Sequence, residues 1–464
     1  MKTALRLVVG ALALAVLSTG MASRSDASAT TPVITTGSTG VIQGAGASFP
    51  NTQYQKWITD IHAASPSVGF GTSSATKLNI TYASEGSSAG KNKFFGSAGV
   101  GPRKAAQMFS GTDSMVSSAQ DTVGTGFGGY IMIPMTAGPI AIIVNIPGIT
   151  TTLKMNAEVI CGIYSGQILK WNDTKIRALN PTVKALTTMT NNIVTVARSD
   201  GSGTTSIFST YLATGASSAQ KKCGYSSDWA NTVTSFDDLS GTSTVTPSDV
   251  APGTRFAAMR TANGAAAISG GAQNVGVQAA VVATAYSIGY VEVSYTSGAR
   301  QVALATKSLN TTGANTGKPN YLLASASGAT AAMNRHLADA TGTGESPVNP
   351  GFSNFLQPVN QLGLTSYPIV GYSWILVYKQ YRGDRASSDV TNFTGTAYSE
   401  GTGYPTKGQV EGLIYFLNWS LMKGKAATIG STSTKAYSPL PSSMKAAIIA
   451  QLKTVKYEGT IVWR

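Results

Sequence analysis

The sequence predicts an α/β fold, in which helices cover a largely parallel or mixed sheet. Short apolar, β-branched runs alternate along the chain with segments whose apolar residues recur at helical spacing. The chain has 464 residues, enough for two or three domains, and 42% of them are apolar, enough to build buried cores. Glycine occupies 51 positions, as expected where many turns and close backbone approaches join strands to helices.

The expected elements follow one another in order. The continuous β-branched run at 140–145 is typical of a buried strand, and a helical pattern follows Pro50. Strands are expected at 78–82, 140–145, 193–197, 288–295 and 375–378. Helices are expected at 53–61, 157–171, 206–213, 410–422 and 442–452. Two stretches, 214–265 and 296–365, are rich in Gly, Ser, Thr and Ala, and we interpret them as insertions or long surface loops.

The first 29 residues have the pattern of a cleaved secretory signal peptide. Lys2 and Arg6 precede an apolar run at 7–17, and a small-residue region ends in Ala27-Ser28-Ala29. The apolar run is too short to span a bilayer as a helix. Residues 30–37 are expected to form a flexible lead-in, and the mature protein is expected to be periplasmic or secreted.

Charge and cysteine content narrow the possible function classes. Lys and Arg outnumber Asp and Glu by 34 to 20, without a run of five or more basic residues, so no nucleic-acid-binding arm is expected. The excess predicts a cationic, solvated surface that can attract small anions. An exported chain with two cysteines favours a disulfide between Cys161 and Cys223. Two separate buried thiols are the alternative.

The sequence gives little support for metal binding or for nucleophilic catalysis. The chain has two histidines, His62 and His336, far apart and without neighbours of metal-ligand type, so neither a metal nor a cofactor is expected. Residues 86–90 match the G-x-S-x-G pattern, which would make Ser88 a nucleophile. A chance match is expected in a chain so rich in Gly and Ser. The only downstream histidine, His336, falls in a stretch without predicted structure.

Four short loops have a chemistry that suits an oxyanion: 44–50, 86–90, 111–113 and 198–205. In three of them a Gly/Ser loop opens a helix, so backbone N–H groups and hydroxyls point outward at the positive end of the helix dipole. A single loop of this kind is ordinary helix capping. The fourth loop adds Arg198, whose planar donors fit a tetrahedral anion, and Asp200 is placed to hold that guanidinium.

Together these segments resemble the periplasmic phosphate-binding proteins that feed ABC-type phosphate transporters, with features of their DING branch. The resemblance runs in order along most of the mature chain. Its motifs are GAGASFP at 44–50, YQKW at 54–57, GSSAG at 86–90, SGTD at 110–113, IVNIPG at 143–148, CGIYSGQILKWND at 161–173, RSDGSGT at 198–204, IGYVEVSY at 288–295 and YSPLPSSMKAAI at 437–448. The chain is longer than the compact members, mainly in 214–265 and 296–365.

The resemblance implies a phosphate site without a catalytic residue. The donors that it implies are hydroxyls, backbone N–H groups and one guanidinium, contributed by Ser48, Phe49, Ser87, Arg198, Ser202, Gly203 and Thr204. Asp200 would hold Arg198. Asp113 would accept a hydrogen bond from the proton that hydrogen phosphate carries, whereas sulfate would leave this carboxylate facing an unpaired charge. Arsenate also carries a proton and is not excluded.

The resemblance further implies a two-lobed periplasmic-binding-protein fold of type II, in which two mixed sheets flanked by helices are joined by a hinge. Lobe I is expected to take 38–137 and 372–464, and lobe II 138–371. The expected function is capture of inorganic phosphate and delivery to the membrane permease subunits of an ABC transporter, by a protein expected to be a monomer. Two alternatives stay open: a secreted phosphatase acting on phosphate esters, and a surface adhesion or interaction module.

Overall fold

The architecture was examined in a computed structural model of the chain. It describes residues 32, 41–64, 78–95, 107–126, 128–214, 260–261, 263–266, 268–343, 348, 357–381, 405–422 and 437–463. The signal-peptide and lead-in predictions at 1–29 and 30–37 lie outside these residues. Cys223 and most of the stretch at 214–265 also lie outside them.

Strands and helices alternate through the described residues. The strands are β1 Val41–Gly46, β2 Asn79–Ser84, β3 Gln107–Thr112, β4 Tyr130–Asn145, β5 Lys154–Met155, β6 Val194–Arg198, β7 Ser269–Gly271, β8 Ser287–Glu292, β9 Arg300–Gln301, β10 Ala303–Leu309, β11 Pro319–Leu322, β12 Val370–Tyr378, β13 Gln380–Tyr381, β14 Lys456–Tyr457 and β15 Thr460–Ile461. The helices are α1 Asn51–Ala64, α2 Ser87–Phe95, α3 Ser118–Gly126, α4 Ala157–Tyr164, α5 Thr174–Leu179, α6 Gly203–Thr214, α7 Gln273–Ala283, α8 Ala326–Thr343, α9 Lys407–Met422 and α10 Ser442–Leu452.

A mixed sheet forms the frame of the molecule, with strand order β2-β1-β3-β12-β4-β8-β6-β7. At one end β1 pairs in parallel with β2 and β3. At the other end β6 pairs in parallel with β7 and β8. The central strands β12 and β4 are antiparallel to their neighbours. The two parallel groups are therefore joined through a pair of long antiparallel strands.

The long strand β4 continues from one part of the molecule into the other. It is buried along almost its whole length, which explains its near-continuous apolar sequence. Its pairing with β12 shifts register between Ser373 and Trp374, where Met135 is the extra residue between Pro134 and Thr136. A proline cannot donate to the ladder, and a β-bulge is one of the places where a sheet accepts it. The bulge also bends β4 at the position that faces Ser373 of β12.

Buried apolar side chains form two clusters. The first cluster surrounds β1–β3, α1, α9 and α10, and the second surrounds the later part of β4 with β8, α4 and α6. Along β4 the division falls between Ala137 and Ile140, and along β12 it falls between Val370 and Tyr372. This division supports the expected lobe boundaries, which stay a prediction. A few residues cross it, as Phe49 lies in the second cluster.

Three element predictions need correction. The helix expected at 157–171 ends at Tyr164, because Gly166 takes a left-handed φ of 78° that stops the turn. The strand expected at 288–295 ends at Glu292 and continues as a short 3-10 turn, Val293–Tyr295. The stretch at 296–365, interpreted as loop, contains β9, β10, β11 and α8. Alanine, a strong helix former, is frequent in α8, but the Gly and Thr residues between the alanines hid the pattern.

His336 is placed differently from the prediction. It lies on α8 and is 6% exposed, and its Nδ1 is 3.4 Å from the hydroxyl of Tyr372 on β12. This histidine is thus part of a packed helix, where the sequence suggested an unstructured stretch. Within the described ranges, no helix is both long enough and apolar enough to cross a membrane.

Candidate functional site

The four loops singled out in the sequence lie at the carboxyl ends of parallel strands. β1, β2 and β3 end immediately before the segments at 47–50, 85–86 and 113–114, and β6 ends at Arg198. In open α/β sheets ligands bind at these ends. The two groups of strand ends face each other and touch, since the N–H of Ser88 donates to the carbonyl oxygen of Gly201 over 3.3 Å.

The first loop carries Ser48 and Phe49 between β1 and α1. Ser48 is buried, and its Oγ accepts a hydrogen bond from Nδ2 of Asn274 at 3.1 Å. The carbonyl oxygen of Phe49 accepts a hydrogen bond of 2.7 Å from the hydroxyl of Tyr437. The rings of Phe49 and Tyr437 meet edge to face, with centroids 6.1 Å apart. The loop is therefore held by residues from two distant parts of the chain, Asn274 and Tyr437.

Ser87 and Asp113 form a buried pair in which each donates to the other. The N–H of Asp113 donates to Oγ of Ser87 at 3.1 Å, and that hydroxyl lies 3.3 Å from Oδ2 of Asp113. Oδ1 of Asp113 accepts a hydrogen bond of 2.6 Å from Ser373. Ser87 is the first residue of α2, where N–H groups have no partner within the helix.

Burial raises the pKa of Asp113 from its ordinary value to about 7. The hydrogen bond from Ser373, the charge of Arg198, the hydrogen bond from Ser87 and the charge of Lys91 oppose that rise. Desolvation prevails because the carboxyl is 1% exposed. Near neutral pH this group can therefore exist with or without its proton, which is unusual for an aspartate.

Arg198 ends β6 and is 2% exposed. Its Nε donates to Oδ1 of Asp200 at 2.7 Å, and its Nη2 donates to Oδ2 of the same carboxylate. Nη1 lies 3.3 Å from Oγ1 of Thr204. A guanidinium has five N–H donors, so these contacts orient the group and leave two N–H bonds for a ligand.

Ser202 and Gly203 begin α6 opposite the Ser87–Asp113 pair. Oγ of Ser202 accepts a hydrogen bond of 3.1 Å from the N–H of Thr205, as an N-terminal cap does. A Cβ at Gly203 would lie 2.5 Å from Cβ of Asp113 and 2.5 Å from Oγ of Ser87. Only glycine allows the start of α6 to approach this pair so closely.

The structure adds three residues that the sequence analysis missed: Gln273, Asn274 and Ser373. Asn274 is fully buried and reaches both Ser48 and Thr204. Gln273 and Asn274 begin α7, and Ala272 alone separates them from Gly270 and Gly271 at the end of β7. This is the same glycine-rich pattern before a helix, and it could have identified them. The only signal for Ser373 is one hydroxyl within the otherwise apolar and aromatic core of β12.

The histidines and Ser88 show no arrangement for nucleophilic catalysis among the described contacts. Nε2 of His62 accepts a hydrogen bond from the N–H of Ile80 at 3.3 Å, and His336 lies against Tyr372. Ser87, rather than Ser88, faces Asp113. Within the described part of the chain, no group of three or more His, Cys, Asp or Glu side chains could hold a metal ion.

A family model described as a PBP superfamily domain matches residues 26–399, and the chain belongs to this superfamily. The Phosphate-binding protein PstS of Pasteurella multocida is 28% identical over 429 residues, which cover 91% of this chain and 93% of that protein. The Phosphate-binding protein PstS of Methanocaldococcus jannaschii is 28% identical over 355 residues, covering 76% of each chain. These matches confirm the family resemblance.

Solved structures confirm the fold. A crystal structure of a DING protein covers 88% of this chain and 93% of its own, with a TM-score of 0.53 and 19% identity. A high-affinity periplasmic phosphate-binding protein, PfluDING, bound with phosphate, gives a TM-score of 0.51 and 19% identity, covering 89% of this chain and 93% of its own. The two-lobed α/β fold of the binding-protein type is therefore the fold of this chain.

Proposed function

We propose that this protein binds inorganic phosphate outside the cytoplasmic membrane and delivers it to the permease subunits of an ABC-type importer. The observation that carries the proposal is the buried carboxyl of Asp113, placed among donors of both lobes. Arg198 and the N-termini of α2 and α6 supply positive potential there. A site that combines such donors with one acceptor suits an anion that still carries a proton.

Each predicted residue has a role in this proposal. The hydroxyls of Ser48 and Thr204 donate to phosphate oxygens, together with the two remaining N–H bonds of Arg198. With the anion bound, the hydroxyl of Ser87 would turn its one proton from Oδ2 of Asp113 to a phosphate oxygen and keep accepting from the N–H of Asp113. Backbone N–H groups near Phe49, Ser202 and Gly203 complete the donor set. Asp113 shares one proton with the bound anion, and Asp200 holds the guanidinium. Neither a cofactor nor a catalytic residue takes part.

The contact between the loops corresponds, in this proposal, to the closed form of the protein. Ser88 and Gly201 touch across the cleft, and the start of α6 packs against Asp113. An anion between them would contact both lobes only after closure, so binding and closure are coupled through the strands that join the lobes.

The cellular setting is proposed from sequence. A cleaved signal peptide at 1–29 would export the protein, which would act in the periplasm or after secretion as a monomer. In that oxidising setting Cys161 and Cys223 would form a disulfide. Mass spectrometry of the exported protein, before and after reduction, would identify the mature N-terminus and the cysteine pairing.

The phosphatase and adhesion alternatives are less favoured. A phosphatase would need a base beside Ser88, and the contacts of His62 and His336 described above lie with Ile80 and Tyr372. The relatives carry the names of phosphate-binding proteins, which favours binding. Release of phosphate from an ester, lost in Ser88→Ala, would reverse this preference.

Calorimetric titration tests the proposed function. Phosphate-free mature protein is titrated with phosphate, arsenate and sulfate at neutral pH. We expect one phosphate site of micromolar or tighter affinity, about −8 kcal/mol or better, with little response to sulfate. Arg198→Gln should abolish binding, whereas Arg335→Gln, on an arginine whose side chain is 46% exposed, should leave it unchanged. A well-folded protein that does not bind phosphate would contradict the proposal.

A further inference from the structure

Asn274 links two hydroxyls of the candidate site that come from different parts of the chain. It lies on the first turn of α7 and is fully buried. Its Nδ2 is 3.1 Å from Oγ of Ser48, before α1, and 3.4 Å from Oγ1 of Thr204, on α6. Both N–H bonds of the amide are therefore directed at hydroxyl oxygens.

The direction of these hydrogen bonds determines what the hydroxyls can offer a ligand. A hydroxyl has one proton and two lone pairs. Oγ1 of Thr204 accepts from Nδ2 of Asn274 and from Nη1 of Arg198, at 3.4 and 3.3 Å. With its acceptor positions engaged, this hydroxyl must direct its own proton elsewhere. Ser48 accepts from Asn274 in the same way, so its proton is also available for an anion.

The orientation of the Asn274 amide is set from outside the site. Its Oδ1 accepts a hydrogen bond of 3.0 Å from the backbone N–H of Glu292, which places Nδ2 on the side of Ser48 and Thr204. Glu292 is the last residue of β8 and pairs there with Ile140 of β4. The central strands that join the lobes thus determine which way the amide points.

We propose that Asn274 is a positioning residue that makes Ser48 and Thr204 hydrogen-bond donors toward the bound anion when the lobes are closed. This inference rests on the proposed phosphate function. Asn274 itself does not contact the anion, because its two N–H bonds and its carbonyl oxygen are engaged with protein groups. It affects phosphate affinity by orienting the hydroxyls of Ser48 and Thr204.

Two substitutions separate hydrogen bonding from packing. Asn274→Ala removes the amide, and we expect phosphate affinity to fall about ten-fold, the typical effect of losing orienting hydrogen bonds. Asn274→Leu keeps roughly the size of the side chain, adds no charge and makes no hydrogen bond to Ser48, Thr204 or the N–H of Glu292. We expect Leu to bind phosphate as weakly as Ala, whereas a packing role predicts that Leu binds nearly as tightly as the wild type.

A double-mutant cycle with Ser48→Ala is the decisive measurement. If Asn274 acts through the Ser48 hydroxyl, Asn274→Ala should cost about ten-fold in the wild-type background and only about three-fold in the Ser48→Ala background. Equal effects in both backgrounds, or Leu binding as tightly as wild type, would overturn the proposal. If Asn274→Ala does not fold, the comparison of Asn274→Leu in both backgrounds gives the same test.

Two controls keep the outcomes distinct. Asn180 is a buried asparagine that bonds the backbone of Lys154 and Ile176, outside the site. Asn180→Ala should lower the melting temperature without changing phosphate affinity. Failure of the wild-type protein to bind phosphate would contradict the proposed function itself, whereas wild-type binding with an unaffected Asn274 variant would contradict only this inference.

Discussion

Asp113 is the residue whose environment most affects the chemistry of the site. Burial raises its pKa to about 7 while Ser87 and Ser373 remain hydrogen-bonded to it. Asp113 and hydrogen phosphate can therefore share one proton at neutral pH, whichever of the two carries it. Sulfate brings no proton, so it meets a carboxylate above this pKa and a carboxylic acid below it.

The affinity for sulfate should therefore depend on pH. As the pH falls through about 7, protonation of Asp113 removes the repulsion and supplies a donor, so we expect sulfate to bind more tightly in acidic than in alkaline buffer. In Asp113→Asn this pH dependence should disappear, and discrimination against sulfate should fall more than phosphate affinity. Competition of sulfate with phosphate across a pH series measures both effects. Unchanged selectivity in the variant would contradict the shared-proton role.

The same residue should cost stability in the closed form when no ligand is bound. A carboxyl whose pKa is raised by folding destabilises the folded state most above that pKa, and the cost vanishes as pH falls to its unfolded value. One pKa unit is worth about 1.4 kcal/mol, so Asp113→Asn should stabilise the ligand-free closed form by roughly 2–4 kcal/mol in alkaline buffer, and less where the lobes open and expose the carboxyl. The gain should shrink with acidification. Denaturant unfolding at several pH values tests this, and a pH-independent difference would contradict it.

Much of the candidate site could be predicted at the level of residues. Ser87, Asp113, Arg198 and Gly203 lie together as their loops suggested, because each loop follows a strand that ends at the cleft. Ser373 could not be predicted, because its position depends on a β-bulge between distant strands. The raised pKa of Asp113 depends on burial by both lobes, which no local pattern encodes.

At the level of elements, long apolar patterns were informative and small-residue patterns were not. α1 and α10 match expectation closely because their buried faces repeat at helical spacing. α9 matches because it is buried on nearly all sides, which gives it a long apolar sequence. α8 was missed, since Gly and Thr dilute its apolar pattern although Met333 is buried in the first cluster. α4 is shorter than expected because Gly166 ends it. The presence of α8 and the end of α4 therefore depend on tertiary packing and on a single left-handed residue, which an apolar pattern does not show.

At the level of the whole molecule, Gln273 of α7 contacts Ser84 at the end of β2 across the candidate site. Nε2 of Gln273 donates to the carbonyl oxygen of Ser84 at 2.7 Å, and the Ser84 hydroxyl lies 3.0 Å from its Oε1. Gln273 has a left-handed φ of 58°, which non-glycine residues adopt rarely. Its N–H donates to Oδ1 of Asp200 at 2.8 Å, and Asp200 in turn accepts from Arg198. Gln273 therefore supports the carboxylate that orients Arg198 and also makes the contact with Ser84.

Loss of this contact should affect dissociation more than association. Gln273→Ala keeps the N–H that bonds Asp200 and removes the two bonds to Ser84, so the closed form should open more readily. We expect phosphate to dissociate about ten-fold faster with little change in association, as measured by stopped-flow fluorescence. Gln278→Ala, on the same helix but bonded to Ser297, should behave as wild type. Equal dissociation rates for the two variants would contradict this role.

The strand order also has a consequence for the time course of folding. β12 lies between β3 and β4 in the sheet, so β3 obtains its second neighbour only when residues 370–378 have been made. The segment around β4, β8 and α4 contains its own strand partners and apolar cluster. We therefore expect the middle of the chain to fold before the part that precedes it. Until then β3 presents an open edge, and pairing across so long a separation is slow.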